Sequence, residues 1–186
     1  MVKQKIVFDG RIFPKIDRHI LLVGLMGVGK TTIGRFLAKN LGREFIDSDF
    51  EIESAARLKI KDIFVIYGED EFRRLEEKVI ARLLASQPAA IISSGSEAFL
   101  SPRTRKLAKK HALSVWLKAD HLLLDRRTAD RTENRPVLKI ATLAQLFQER
   151  RDIYAEADLS VETFDESPNK TCNRLMKSLH EHLTKR

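Results

Sequence analysis

Apolar and polar residues change period repeatedly along this chain, and the changes mark out its elements. Residues 19–24, HILLVG, form a short apolar run ending in glycine, which predicts a buried strand. Residues 30–42, KTTIGRFLAKNLG, place Ile33, Phe36, Leu37 and Leu41 at helical spacing, with Gly42 as a stop. EFID at 44–47 reads as a second, short strand. FEIESAARL and IKDIFVIYG then read as two short helices. EDEFRRLEEKVIARLLASQ reads as a longer one, with acids in its first turn and Phe72, Leu75, Val79 and Leu83 in one stripe. AAIISS at 89–94, ALSVWLKA at 112–119 and DLSVET predict three further strands. Pro102 opens the helix PRTRKLAKKH. DHLLLDRR, ATLAQLFQERRDIYAEA and the segment from Pro168 predict three more helices. Residues 128–139, TADRTENRPVLK, carry no apolar stripe and form the longest polar loop, a candidate lid.

Strands alternating with helices predict an α/β fold around a parallel sheet, here of five strands. Ligands of such sheets bind beyond the carboxyl ends of the strands. Gly24, Asp47, Ser93, Ser94 and Ala119 are therefore expected around one crevice. Residues 1–18 read as a basic extension, either a short extra element or a mobile arm, before a single domain over 19–186.

Composition narrows the picture. At 186 residues, 43% hydrophobic and 32% charged, the chain is one soluble, globular domain rather than a disordered segment. A net charge of +8 suits nucleic acid or a membrane bound through a basic face, a small, highly anionic substrate such as ATP, or simply a charged, soluble surface. The basic residues are interspersed with acids, as in EFRRLEEKVIARLL, and no aromatic-basic platform accompanies them, so no nucleic-acid partner is expected. The single cysteine, Cys172, excludes an internal disulfide, argues against a zinc site, and is expected half-buried on a helix. The first 20 residues lack a continuous apolar core and a small-residue cleavage site, and no run is long enough to span a bilayer. A cytoplasmic protein without a membrane partner is expected.

GLMGVGKT, Gly24 to Thr31, fits G-x-x-x-x-G-K-[ST] without mismatch, between a predicted strand and a predicted helix. Glycines let such a loop wrap its backbone N–H groups around phosphate oxygens, and the helix that follows points its positive end at the anion. Gly27, Val28, Gly29, Lys30, Thr31 and Thr32 are the candidate nucleotide-binding residues, with Lys30 reaching the β/γ-phosphates and the Thr31 hydroxyl available to Mg²⁺. ATP is expected rather than GTP, because no guanine-reading N-K-x-D motif is present.

Asp47 and Asp49 stand two apart at the carboxyl end of the second strand, so an extended backbone would turn both the same way. One suits a Mg²⁺-bound water and the other a substrate hydroxyl; alternatively Asp49 caps the helix that follows. Arg73, Arg135 and Arg150 are either solvated surface or a clamp for a carboxylated substrate and a transferring phosphoryl group, both of which match the planar guanidinium fork.

GLMGVGKTTIGRFLAKNLGREFIDSDFEIE, IFVIYGEDEFRRLEEKVI, NRPVL and ERRDIYAEADLSVE together resemble shikimate kinase, over residues 19 to 184. The resemblance implies the nucleoside-monophosphate-kinase-like P-loop fold: a three-layer α/β/α domain with substrate-binding helices at about 49–86 and a lid at about 128–139. It implies transfer of the ATP γ-phosphoryl group to the 3-hydroxyl of shikimate with Mg²⁺, in aromatic amino acid (chorismate) biosynthesis, by a monomer. Lys30 and Thr31 match the family's loop lysine and magnesium ligand, and Asp47 the acid that orients a metal-bound water. Asp49 matches the acid on the substrate hydroxyls, Arg73 and Arg150 the pair on the shikimate carboxylate, Arg135 the lid arginine, and Arg127 the residue along adenine. Ser93 falls where the family strand supplies a polar group near the metal water. The alternatives are a kinase for a gluconate-like acceptor and a nucleotide-binding module without turnover.

The match breaks at one place. The family's three glycines after the third core strand read here Gly95, Ser96, Glu97. Gly95 and Ser96 remain candidate substrate-binding residues. A carboxylate at 97 should repel shikimate and ATP, so Glu97 is expected to turn out of the pocket and ion-pair with Arg73 or another nearby arginine. In FDESP, 164–168, acids replace a basic residue usual beside adenine, which leaves adenine contacts there to the backbone.

Overall fold

The computed structural model describes residues 6–129 and 142–185. Its centre is a five-stranded sheet in the order β4-β5-β3-β6-β7, with every neighbouring pair parallel. These strands are His19–Val23 (β3), Phe45–Asp47 (β4), Ile91–Ser93 (β5), Ala112–Lys118 (β6) and Leu159–Glu162 (β7). All five residues of β3 are buried, as a strand covered by helices on both faces requires. Helices α1 (Lys30–Leu41) and α7 (Pro168–Thr184) pack on each other and on the sheet, while α3 (Ile60–Ala85) packs on α4 (Pro102–His111), which lies against β6. The predicted α/β architecture is thus the observed one.

From β3 the chain steps out to the edge strand β4, returns to β5 beside β3, and then crosses to β6 and β7 on the other side, so the strand order reverses about β3. That reversal leaves a crevice at the carboxyl end of β3, where the phosphate loop begins. Strand register also sets the crevice walls: Asp47 pairs with Ser93, and Leu22 pairs with both Ser93 and Val115.

The two short helices after β4 are α2 (Ser48–Ala56) and the first part of α3, whose helical geometry breaks at Gly68 before the long second part. Helices α5 (His121–Thr128) and α6 (Leu143–Tyr154) flank residues 130–141, so the candidate lid lies almost wholly outside the described residues. Ahead of the sheet, β1 (Val7–Phe8) and β2 (Arg11–Ile12) form a hairpin about Asp9 and Gly10. Phe13 and Ile16 then enter the main core, and Phe13 meets the His180 ring of α7 edge-on at 5.8 Å. Cys172 is fully buried rather than half-buried, because α7 turns it toward Asn40 of α1, whose amide lies 3.5 Å from its sulfur. Burial pushes its thiol pKa up. Among the described residues, no helix is long and apolar enough to cross a membrane.

Candidate active site

The β3–α1 loop has the curvature that its sequence requires. Gly27 and Gly29 take φ values of 79° and 101°, in the region L side chains avoid, and Gly29 is the N-cap of α1. Lys30 Nζ folds back across the loop to the carbonyl oxygens of Gly24 (2.7 Å) and Leu25 (3.1 Å). Thr31 Oγ1 donates to Asp47 Oδ2 at 2.8 Å, which joins the start of α1 to the end of β4. A hydroxyl and a carboxylate oxygen side by side at a phosphate loop suit a hard cation that takes its other ligands from phosphates and water.

The Asp47–Asp49 pair departs from expectation. Helix α2 begins at Ser48, so the two residues do not continue an extended strand. Asp47 is the N-cap, and its Oδ1 accepts from the Asp49 backbone N–H at 3.1 Å. The capping role proposed for Asp49 therefore falls to Asp47, because a helix starting one residue earlier leaves Asp49 inside its first turn. Both carboxylates still line one cleft of about 980 Å³.

That cleft gathers most of the candidate residues. The loop from Gly27 to Thr32 forms one wall; Asp47, Asp49 and Arg73 also line the cleft; Ser93 at the end of β5 and the Ser94, Gly95 and Ser96 that follow it complete the lining. Arg127 lines the same cleft, and its Nη2 donates to the Phe164 carbonyl at 2.7 Å. Glu166, expected to offer only backbone to a nucleotide, also lines the cleft, but its carboxylate is held by Arg174 and Thr171. Those hydrogen bonds hold its pKa below the usual carboxylate range. Gly24 and Ala119 stand at the strand ends without lining the cleft. Arg135 lies outside the described residues.

Gly95 is placed by a hydrogen bond from its N–H to Ser48 Oγ at 3.0 Å. It leaves room for two carboxylates: a Cβ at this position would stand 2.5 Å from Glu76 Oε1 and 2.9 Å from Asp49 Oδ1. Glu76 is a further residue of this site, beyond those that the motifs mark. It is 3% exposed and accepts from Arg73 Nη1 at 3.1 Å. Burial pushes its pKa above the usual carboxylate value, against the pull of Arg73. The signal was there: Glu76 falls at helical spacing between Phe72 and Val79, a charge inside an apolar stripe.

Arg73 is held in place by its own helix. Its guanidinium stacks 5.0 Å from the Phe72 ring and 5.8 Å from the Phe64 ring, and binds Glu69 (3.0 Å) and Glu76. Arg150, on α6, is 8% exposed. Between the two guanidinium groups lies Glu97, and this corrects the expectation that it turns away. Its Oε1 accepts from Arg150 Nη2 at 2.5 Å, and its Oε2 pairs with Arg73 Nη2. Glu97 and Arg73 line the cleft and Arg150 does not. The sequence predicts the ion pair but not its direction, because Arg150 is 53 residues away in the chain. Tyr154, one turn after Arg150, donates its hydroxyl to the Ser96 carbonyl, and burial pushes its pKa up to about 12.

A phosphate loop at the reversal point of a parallel sheet, with an arginine- and carboxylate-lined acceptor end in the same cleft, defines the class: a P-loop phosphotransferase. The shikimate kinase family model matches residues 26–180. The chain is 46% identical over 173 residues to shikimate kinase of Paramagnetospirillum magneticum, covering 91% of this chain and 88% of that one. It is 45% identical over 169 residues to the Rhizobium leguminosarum enzyme, covering 89% and 85%. Among solved structures, shikimate kinase from Acinetobacter baumannii in complex with shikimate aligns with a TM-score of 0.81 at 34% identity, over 86% of this chain and 91% of that one. The chain belongs to the shikimate kinase family. A gluconokinase from Sinorhizobium meliloti aligns with a TM-score of 0.55 at 17% identity, a likeness of fold alone.

Proposed function

We propose that this chain transfers the γ-phosphoryl group of ATP to the 3-hydroxyl of shikimate, giving shikimate 3-phosphate and ADP for aromatic amino acid (chorismate) biosynthesis. The observation that carries the reading is that the phosphate loop, Asp49 and Arg73 line one cleft. Phosphoryl transfer passes through a loose transition state, so its catalysis is mostly positioning and charge stabilisation. The amides of residues 27–32 and the α1 N-terminus would cradle the phosphates, with Lys30 on the β/γ oxygens. Thr31 and Asp47 would hold Mg²⁺ and its water, and the ion would supply charge neutralisation. Asp49 would receive the acceptor hydroxyls and help take the proton. Arg73 and Arg150 would grip the shikimate carboxylate through their forks, with Gly95 and Ser96 as the adjoining wall. Arg127 would lie along adenine, and Arg135 would close onto the phosphates from the lid. The protein is expected to work as a cytoplasmic monomer.

The test is ADP release with Mg-ATP and shikimate, set against gluconate, quinate and nucleoside monophosphates. Shikimate-dependent ADP release, abolished by EDTA, is the expected result. Turnover only with another acceptor, or nucleotide binding with no turnover, would reject it.

A further inference from the structure

The position of Glu97 is more than a local ion pair. Its two carboxylate oxygens divide between two guanidinium groups, Oε1 to Arg150 and Oε2 to Arg73. That is the arrangement a bound carboxylate would adopt in an arginine fork. The side chain is only 9% exposed, and it stands between Arg150 and the cleft. We propose that Glu97 is a built-in competitor for the acceptor: it occupies the Arg73–Arg150 fork in the free protein and must leave it before the acceptor's carboxylate can enter. This rests on the proposed function, which assigns those two arginines to that carboxylate.

Charge favours exchange over addition. Arg73 already binds Glu69 and Glu76 besides Glu97, and Asp49 lies across Gly95 from Glu76. A second carboxylate entering beside Glu97 would join four acids around two guanidinium groups, in a partly dehydrated site where like charges repel strongly. Exchange also has something to gain. Arg150 Nη1 is buried without a well-formed hydrogen bond among the described residues, although the Tyr154 hydroxyl lies close to the Arg150 guanidinium, so Glu97 leaves the fork incompletely used. A ligand carboxylate can lie across both nitrogens.

The backbone is set for a swing of the side chain alone. Ser96 is fixed through its carbonyl by Tyr154, and the Glu97 carbonyl accepts from the Leu100 N–H at 2.8 Å at the start of the 3-10 turn Ala98–Leu100. Space is present as well: Glu97 also borders a second cavity of about 370 Å³, lined by Arg73, Leu100 and Ser101 together with the acids Glu69, Glu76 and Glu77, so the displaced carboxylate would stay beside Arg73. Apparent affinity falls by the fraction of molecules whose fork is open. If Glu97 fills the fork in about nine of ten molecules, the acceptor KM rises about tenfold, while ATP, bound at the other end of the cleft, is unaffected.

The test uses the full chain and three variants, Glu97→Gly, Glu97→Ala and Glu97→Gln, each checked for cooperative thermal unfolding. Steady-state kinetics are run with shikimate and with its methyl ester, which lacks the charge. The expected result is a shikimate KM at least about tenfold lower in Glu97→Gly and Glu97→Ala, with the ATP KM within about twofold. The KM ratio of ester to acid should rise in step, because removing Glu97 frees the fork for a charged ligand only; a merely structural role would move acid and ester together. Glu97→Gln keeps the shape and loses the charge, so it should shift KM in the same direction. An unchanged shikimate KM in folded Glu97→Gly and Glu97→Ala, or equal changes for acid and ester, overturns the proposal. If neither the parent nor any variant phosphorylates shikimate, the proposed function itself fails, and the competitor role with it.

Discussion

Replacing Gly95 with alanine should damage acceptor handling and little else. The backbone there is outside the left-handed region, so alanine brings no conformational strain. Its Cβ, however, would stand 2.5 Å from Glu76 Oε1 and 2.9 Å from Asp49 Oδ1. Ordinary contact requires about 3.4 Å, so Glu76 must retreat by about 0.9 Å and Asp49 by about 0.5 Å. The main chain cannot give way instead, since the Gly95 N–H is tied to Ser48 and β5 is fully buried. Glu76 moves against its bond to Arg73, so three acceptor-end side chains shift together. A misplacement of about 1 Å at a reacting centre costs on the order of a hundredfold in rate. We expect kcat/KM for shikimate to fall about 30- to 100-fold, or about 2–2.8 kcal/mol of transition-state stabilisation. The ATP KM should stay within about twofold, and Tm within about 4 °C, because alanine also restricts the unfolded chain by about 0.4–1 kcal/mol. Parallel initial-rate series in shikimate and ATP, with a thermal melt, measure all three. A kcat/KM within about threefold of the parent would show that the carboxylates yield freely, and would refute the reasoning.

Gly24→Ala should act on stability instead: φ is +133°, and a Cβ would stand 2.4 Å from the Leu117 carbonyl oxygen, a backbone atom of the next strand. Strain and overpacking together cost at least about 3 kcal/mol, so calorimetry should show Tm lowered by about 6–12 °C; a loss under about 2 °C would contradict it. Glu76, facing Arg73, Asp49 and Glu77, has a folded-state pKa raised by burial. Its contribution to stability is therefore fully present below the unfolded value of 4.5 and is lost as pH rises through the folded value. Urea titrations across that window should show a component that disappears in Glu76→Gln, and an identical pH profile in the variant would count against burial as the cause. Arg135→Ala should lower kcat by about a hundredfold or more while leaving the shikimate KM within about threefold, and an unchanged kcat in single-turnover assays would remove Arg135 from the phosphoryl-transfer step.

The order of elements and the phosphate loop were legible in the chain because both are local. Apolar period distinguishes strand from helix within a few residues, and Gly27, Gly29, Lys30 and Thr31 act through a single strand–loop–helix unit. The resemblance added roles for Asp49, Arg73 and Arg150 that period and composition leave open. The tertiary structure decided what those side chains touch. Helix α2 starting at Ser48 made Asp47 the cap, which no alternation pattern marks. The sequence marks Glu76 only as a charge inside an apolar stripe, and the approach of Gly95, just after β5, turns it into a wall of the site. Glu97 could be recognised as a misfit from the sequence, but its electrostatic consequence depends on Arg150, which the parallel sheet brings against it from 53 residues away. A carboxylate is repelled or held according to the charges within a few ångströms of it, and that neighbourhood exists only once the chain has folded.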